Sequence, residues 1–79
     1  MIDPVRLSRL RWRCRRGMLE NDIVLARFLD ERGASLGEQD VAMLDTLLDL
    51  PDQELWDLIA GRAEPAAGVA PLVDQLRRR

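Results

Sequence analysis

The sequence predicts an all-α fold, a compact antiparallel bundle of about five short helices forming one domain over residues 1–79. Three observations predict it. Apolar residues recur at spacings of three and four in each segment, as on one face of a helix. Short breaks marked by Gly or Pro separate the segments. No period-two run of β-branched residues, the signal of a strand, occurs anywhere in the chain.

The elements follow in order. Asp3 is a suitable N-cap and Pro4 stands at the favoured first helical position. Leu7, Leu10 and Cys14 then share one face, and Gly17 stops this helix near Arg16. A second helix runs from about Met18 to Arg32. Its broad stripe of Leu19, Ile23 and Ala26, with Leu25, Phe28 and Leu29 alongside, marks it as the central, most buried helix, and Gly33 ends it as a C′ residue. Ser35 and Glu38 form an S-x-x-E capping box for a third helix, which buries Val41, Leu44, Leu47 and Leu48 and leaves Asp40, Asp45 and Asp49 in water. After Pro51, Asp52 caps a short fourth helix from Gln53 to Ala60, ended by Gly61, with Leu55, Leu58 and Ile59 inward. Arg62 to Gly68 reads as a loop. Pro71 opens a fifth helix carrying Leu72, Val73 and Leu76, and Arg77-Arg78-Arg79 forms a frayed basic end.

Composition narrows the function. The chain has 79 residues, 47% hydrophobic and 33% charged, which fits an ordered globular protein. A chain of its mass, 9.0 kDa, folds to an accessible surface of about 4,900 Å², enough for one modest core. There is no His, hence no imidazole base or His-ligated metal, and Cys14 is the single cysteine. No stable cofactor site is expected, and a self-contained enzyme is not the reading. Arg residues interrupt every apolar run near the N-terminus, so neither a secretory leader nor membrane insertion is expected, and the free thiol fits a cytoplasmic setting.

Charge is segregated. All basic residues are Arg; residues 1–16 carry a net +5, residues 20–64 a net −9, and the total is −2. This marks either an interaction face or a first helix docked on acidic neighbours. Within it, Arg15-Arg16-Gly17-Met18-Leu19-Glu20-Asn21-Asp22 puts guanidinium groups at one helix end and carboxylates at the next helix start. Helix dipoles explain that arrangement structurally. Equally, a Gly elbow between an Arg fork and a Glu is suited to protein docking. Trp12 falls off the Leu7/Leu10/Cys14 face, leaving partner contact and edge-of-core packing both open. Arg6, Arg9, Arg13 and Arg15 recur at near-helical spacing and either steer an acidic partner or form a solvated face. Trp56, Met18, Met43 and Cys14 read as structural.

The run Arg9-Leu10-Arg11-Trp12-Arg13-Cys14-Arg15-Arg16-Gly17-Met18-Leu19-Glu20-Asn21-Asp22 resembles the hallmark of the FAD assembly factor family, also called the succinate dehydrogenase assembly factor 2 or flavinator family. The R-G-x-x-E pattern falls on Arg16, Gly17 and Glu20, with an acid two positions later at Asp22. Chain length, Trp12, the breaks at Gly33, Pro51 and Gly61, and the Asp52 to Trp56 segment are also similar. Asn21 departs from a position that is often Leu, and an exposed placement is expected for it, because a buried Asn would cost about 1–3 kcal/mol without a hydrogen bond.

The resemblance implies a helical chaperone, monomeric when free, that binds the flavoprotein subunit of succinate dehydrogenase or fumarate reductase. It implies that FAD is the cofactor attached covalently to a histidine of that partner, not a cofactor of this chain. Arg16 would then be the docking fork, Gly17 the point of close approach, Glu20 the carboxylate facing the partner and Asp22 its support, with Trp12 and Arg9 beside them. Two other classes compete. One is an antitoxin-like regulatory partner of a membrane protein. The other is a nucleic-acid module on the Arg-rich first helix, against which the net charge of −2 and the scarcity of aromatics stand.

Overall fold

The computed structural model describes residues 3–77, and Arg78 and Arg79 of the expected basic end lie outside them. These residues form five α-helices and no strand: α1 (Pro4–Arg13), α2 (Leu19–Arg32), α3 (Glu38–Leu48), α4 (Asp52–Ile59) and α5 (Ala70–Arg77). The radius of gyration is 11.5 Å, against about 11.6 Å for a compact chain of this length. The accessible surface, 5087 Å², is close to that expected from the mass.

Local chemistry explains the boundaries. Asp3 accepts a hydrogen bond from the Val5 amide at 2.8 Å and caps α1, with Pro4 at its start. The helix ends at Arg13 rather than near Arg16, because the Asp22 carboxylate captures the amides of Arg16 and Gly17 at 2.9 and 3.2 Å and draws them out of the helical path. Gly17 has φ +90°, which side-chain-bearing residues rarely adopt. The C-terminus of α4 closes with Gly61 at φ +83°; the Gly61 amide returns to the Leu58 carbonyl and the Arg62 amide to that of Asp57, a Schellman arrangement.

Three expected caps are corrected. Asp52 does not cap α4 but is its first residue, with Pro51 at the cap. Gly33 is not a left-handed C′ residue: its φ is −54°, and the chain runs on into a 3₁₀ turn over Gly33–Ser35. A Cβ there would lie 2.9 Å from Leu7 Cδ1, so a larger residue would require the end of the Leu7 side chain to shift. Ser35 does not cap α3. Its hydroxyl donates to the Arg32 carbonyl, Gly37 occupies the cap, and Asp40 reaches back to the Gly37 amide at 3.1 Å. Glu38 instead pairs with Arg6 across the fold at 2.7 Å. That hydrogen bond holds the Glu38 carboxyl below its usual range and raises the Arg6 guanidinium further. Asp45 and Asp49 take a further α1 cation, Arg13, so they are not simply solvated.

The core is largely leucine, with Leu25, Leu29, Leu36, Leu44, Leu47, Leu55 and Leu72 almost fully enclosed, and Leu10 and Cys14 buried from α1. The expected inward faces of α3, α4 and α5 are the buried ones. Within α2 the buried side is Asn21, Leu25, Phe28 and Leu29, whereas Leu19, Ile23 and Ala26 face out. The α2 helix is therefore two-sided rather than the most buried element. Arg77 is not frayed: its guanidinium donates to the Leu58 and Ala63 carbonyls and ties the end of α5 to that of α4.

Candidate docking site at the α1–α2 elbow

The elbow between α1 and α2 brings together the residues singled out from the sequence, but not in the expected orientation. Arg16 is turned inward, its side chain 17% exposed. Its Nε donates to Asp52 Oδ1 and its Nη2 to the Leu50 carbonyl, both at 2.5 Å, and its Nη1 donates to the Leu48 carbonyl. The guanidinium thus caps the C-terminal carbonyls of α3 and neutralises the first residue of α4. An outward Arg16 fork is corrected accordingly: all three nitrogens are engaged within the chain.

Asn21 is the second correction. It is wholly buried, not exposed. Its Nδ2 donates to the Asp52 carbonyl at 2.9 Å and lies 3.5 Å from Met18 Sδ, while its Oδ1 has no partner. Arg16 and Asn21 therefore fasten the elbow to the α3–α4 turn from two sides. Asp22, through the Arg16 and Gly17 amides, fastens it from a third.

What this frame presents outward is Gly17, Leu19 and Glu20. A Cβ on Gly17 would meet nothing within 4 Å, so its backbone is open to a close approach. Glu20 is exposed, and among the described residues it forms no ion pair or hydrogen bond. Leu19 is 68% exposed and Ile23 55%. On the α1 side Trp12 is 73% exposed with the Arg15 guanidinium 5.8 Å from its ring centroid, a cation–π contact. Arg9 is exposed beside it. Trp12 is therefore not packed at the edge of the core.

Leu19 and Ile23 were missed as surface residues. The sequence carries two apolar stripes on α2, Leu19/Ile23/Ala26 and Asn21/Leu25/Phe28, and the periodicity alone merges them. Large apolar side chains exposed in a cluster mark contact surfaces.

Of the six Arg in residues 1–16, Arg6, Arg11, Arg13 and Arg16 pair with Glu38, Asp30, Asp45/Asp49 and Asp52. The basic segment is thus largely spent on acidic neighbours, leaving Arg9 and Arg15 without an ion pair among the described residues. Cys14 lines a small cleft of about 100 Å³ with Arg11, Arg15 and Asp22. Burial pushes its thiol up to about 11 against the opposing pull of Arg13 and Arg16. Among the described residues no group of three His, Cys, Asp or Glu is placed to hold a metal ion, and no helix is long and apolar enough to cross a membrane.

Comparison with known proteins gives a consistent family. A family model described as the flavinator of succinate dehydrogenase matches residues 8–79, the elbow included. The FAD assembly factor SdhE of Ralstonia nicotianae is 51% identical over 63 residues, covering 80% of this chain and 66% of that protein, just under two thirds. The protein of the same name from Coxiella burnetii is 43% identical over 65 residues, 82% of this chain and 79% of its own length. That of Vibrio parahaemolyticus is 38% identical over 78 residues, 96% of this chain and 90% of its own length. No solved structure gives a significant match. With a hydrogen-bonded elbow carrying the R-G-x-x-E residues and a match over nearly its whole length, this chain belongs to the family of flavinators of succinate dehydrogenase.

Proposed function

We propose that this protein is a non-catalytic assembly factor that binds the flavoprotein subunit of succinate dehydrogenase, and also that of fumarate reductase, and promotes covalent attachment of FAD to a histidine there. The observation that carries the reading is the open Gly17 backbone beside the unpartnered Glu20 carboxylate, displayed on a frame that Arg16, Asn21 and Asp22 hold rigid. Gly17 is the point of close approach and Glu20 the carboxylate facing the partner. Leu19, Ile23 and Trp12 supply the apolar contact and Arg9 a peripheral charge. Arg16 and Asp22 act as positioning residues. The chain works as one domain, monomeric when free, in the cytoplasm.

The chain contributes binding energy rather than a reacting group. By preferring one conformation of its client it raises the population in which flavin and histidine stand in reach of each other. Orientation of this kind is worth several kcal/mol of barrier in well-aligned systems.

The test combines apo flavoprotein subunit, FAD and this protein, with covalent flavin read as in-gel fluorescence after denaturation. Glu20→Ala should cut flavin attachment while the melting temperature stays within about 2 °C, because an exposed, unpaired side chain contributes little to folding. Unchanged flavin attachment with Glu20→Ala together with Gly17→Arg would remove the elbow from the function.

A further inference from the structure

A second feature lies on the flank of α2 away from the α1 seam. Glu20, Val24, Arg27 and Glu31 recur at spacings of four, three and four, so they line one side of the helix. Arg27 sits about 10 Å along the axis from Glu20. Beneath it opens a groove between α2, α4 and α5 of about 400 Å³, floored by Val24, Trp56, Ile59 and Leu76. A smaller extension of about 150 Å³ runs on past Phe28 to Arg32 and Gln75.

The charge of this groove opposes that of its surroundings. Residues 20–64 carry twelve acids and three Arg, yet two of those Arg, Arg27 and Arg32, border the groove with Arg77. Arg27 has neither an ion pair nor a hydrogen bond within the described residues. Arg32 and Arg77 donate to neutral acceptors, the Gln75 side chain and the Leu58 and Ala63 carbonyls, so their charge is not cancelled. Among the described residues Glu31 is the one carboxylate on the lining.

We propose that the α2–α4–α5 groove is a second contact site for the client polypeptide and takes an acidic segment of it, with an apolar side chain on Val24, Trp56 and Leu76 and a carboxylate on Arg27. The proposal rests on the docking reading above and extends that surface from Glu20 down the same flank of α2. The open side of the groove and its apolar floor suit a side chain of a polypeptide. A forked guanidinium on its rim suits a carboxylate.

The experiment uses the full chain and the apo flavoprotein subunit. Arg27→Gln should weaken binding about tenfold, as expected for loss of one charged hydrogen bond. Arg27→Glu should weaken it further, and both should keep wild-type melting. Hydrogen exchange of the wild-type complex should slow over residues 24–31, 56–61 and 75–77 as well as at the elbow. If Gly17→Arg abolishes binding while Arg27→Glu binds as wild type and slowed exchange is confined to the elbow, the groove is not a contact site and the docking reading stands. If neither variant affects binding, both readings fall. Should the Arg27 variants melt early, the exchange pattern of the wild-type complex alone decides the matter.

Discussion

At Arg16, one guanidinium serves the carboxylate of Asp52 and the carbonyls of Leu48 and Leu50. Removing it leaves two carbonyls and a half-buried carboxylate without their donor, so Arg16→Ala should cost about 2–3 kcal/mol. That corresponds to a fall in Tm of roughly 10 °C or more for a domain of this size, measurable by circular dichroism. Flavin attachment then fails through loss of the elbow's shape, and lowering the temperature should restore part of it. Gly17 separates backbone from contact: Gly17→Ala should cost about 1 kcal/mol from the left-handed φ alone. Gly17→Arg should cost no more in stability, because its side chain points into open space, yet should abolish client binding. Asn21→Leu, nearly isosteric, removes the unpartnered Oδ1 and should raise stability by about 1 kcal/mol despite the lost bond to Asp52. A drop in Tm for this variant would mean that the Asn21–Asp52 bond contributes more than the unpartnered Oδ1 costs.

At the scale of elements, α1 is strapped to the body by cations. The Arg6–Glu38, Arg11–Asp30 and Arg13–Asp45 pairs lie at 2.7, 2.8 and 2.5 Å with both partners largely exposed. Exposed pairs are worth at most about 1 kcal/mol each. Arg13→Ala should therefore cost under about 1 kcal/mol, well below Arg16→Ala, although it too loses more than one partner. Raising salt to about 1 M, where the screening length is about 3 Å, should weaken these straps and expose α1 to faster amide exchange while α4 and α5 stay protected. The inward faces of α1, α3, α4 and α5 were legible because their apolar spacing has one solution. In α2 two stripes fit the same period, and the choice between them depends on which neighbours arrive. The buried stripe contains Asn21, a residue that hydrophobicity alone sends to the surface.

For the molecule as a whole, Cys14 reports the integrity of the bundle. Burial raises its thiol from 9.0 to about 11, so the native state holds this proton more tightly than the unfolded chain. The stability this brings is complete below pH 9 and is lost as pH rises through about 11. Denaturation midpoints should fall across that window, and Cys14→Ala should flatten the fall. At pH 8 alkylation of the native thiol should be slow and should accelerate with unfolding.

The helical class, the five segments, most of the leucine core and the position of the elbow were legible along the chain, because each follows from local spacing and from Gly and Pro chemistry. Which way the elbow faces was set by packing across the fold. Arg16 and Asn21 turn inward because the carbonyls of the α3–α4 turn, more than thirty residues further along, arrive beside them. Spacing along a chain records which residues share a face, whereas the partners that a polar side chain finds across the fold are set by packing.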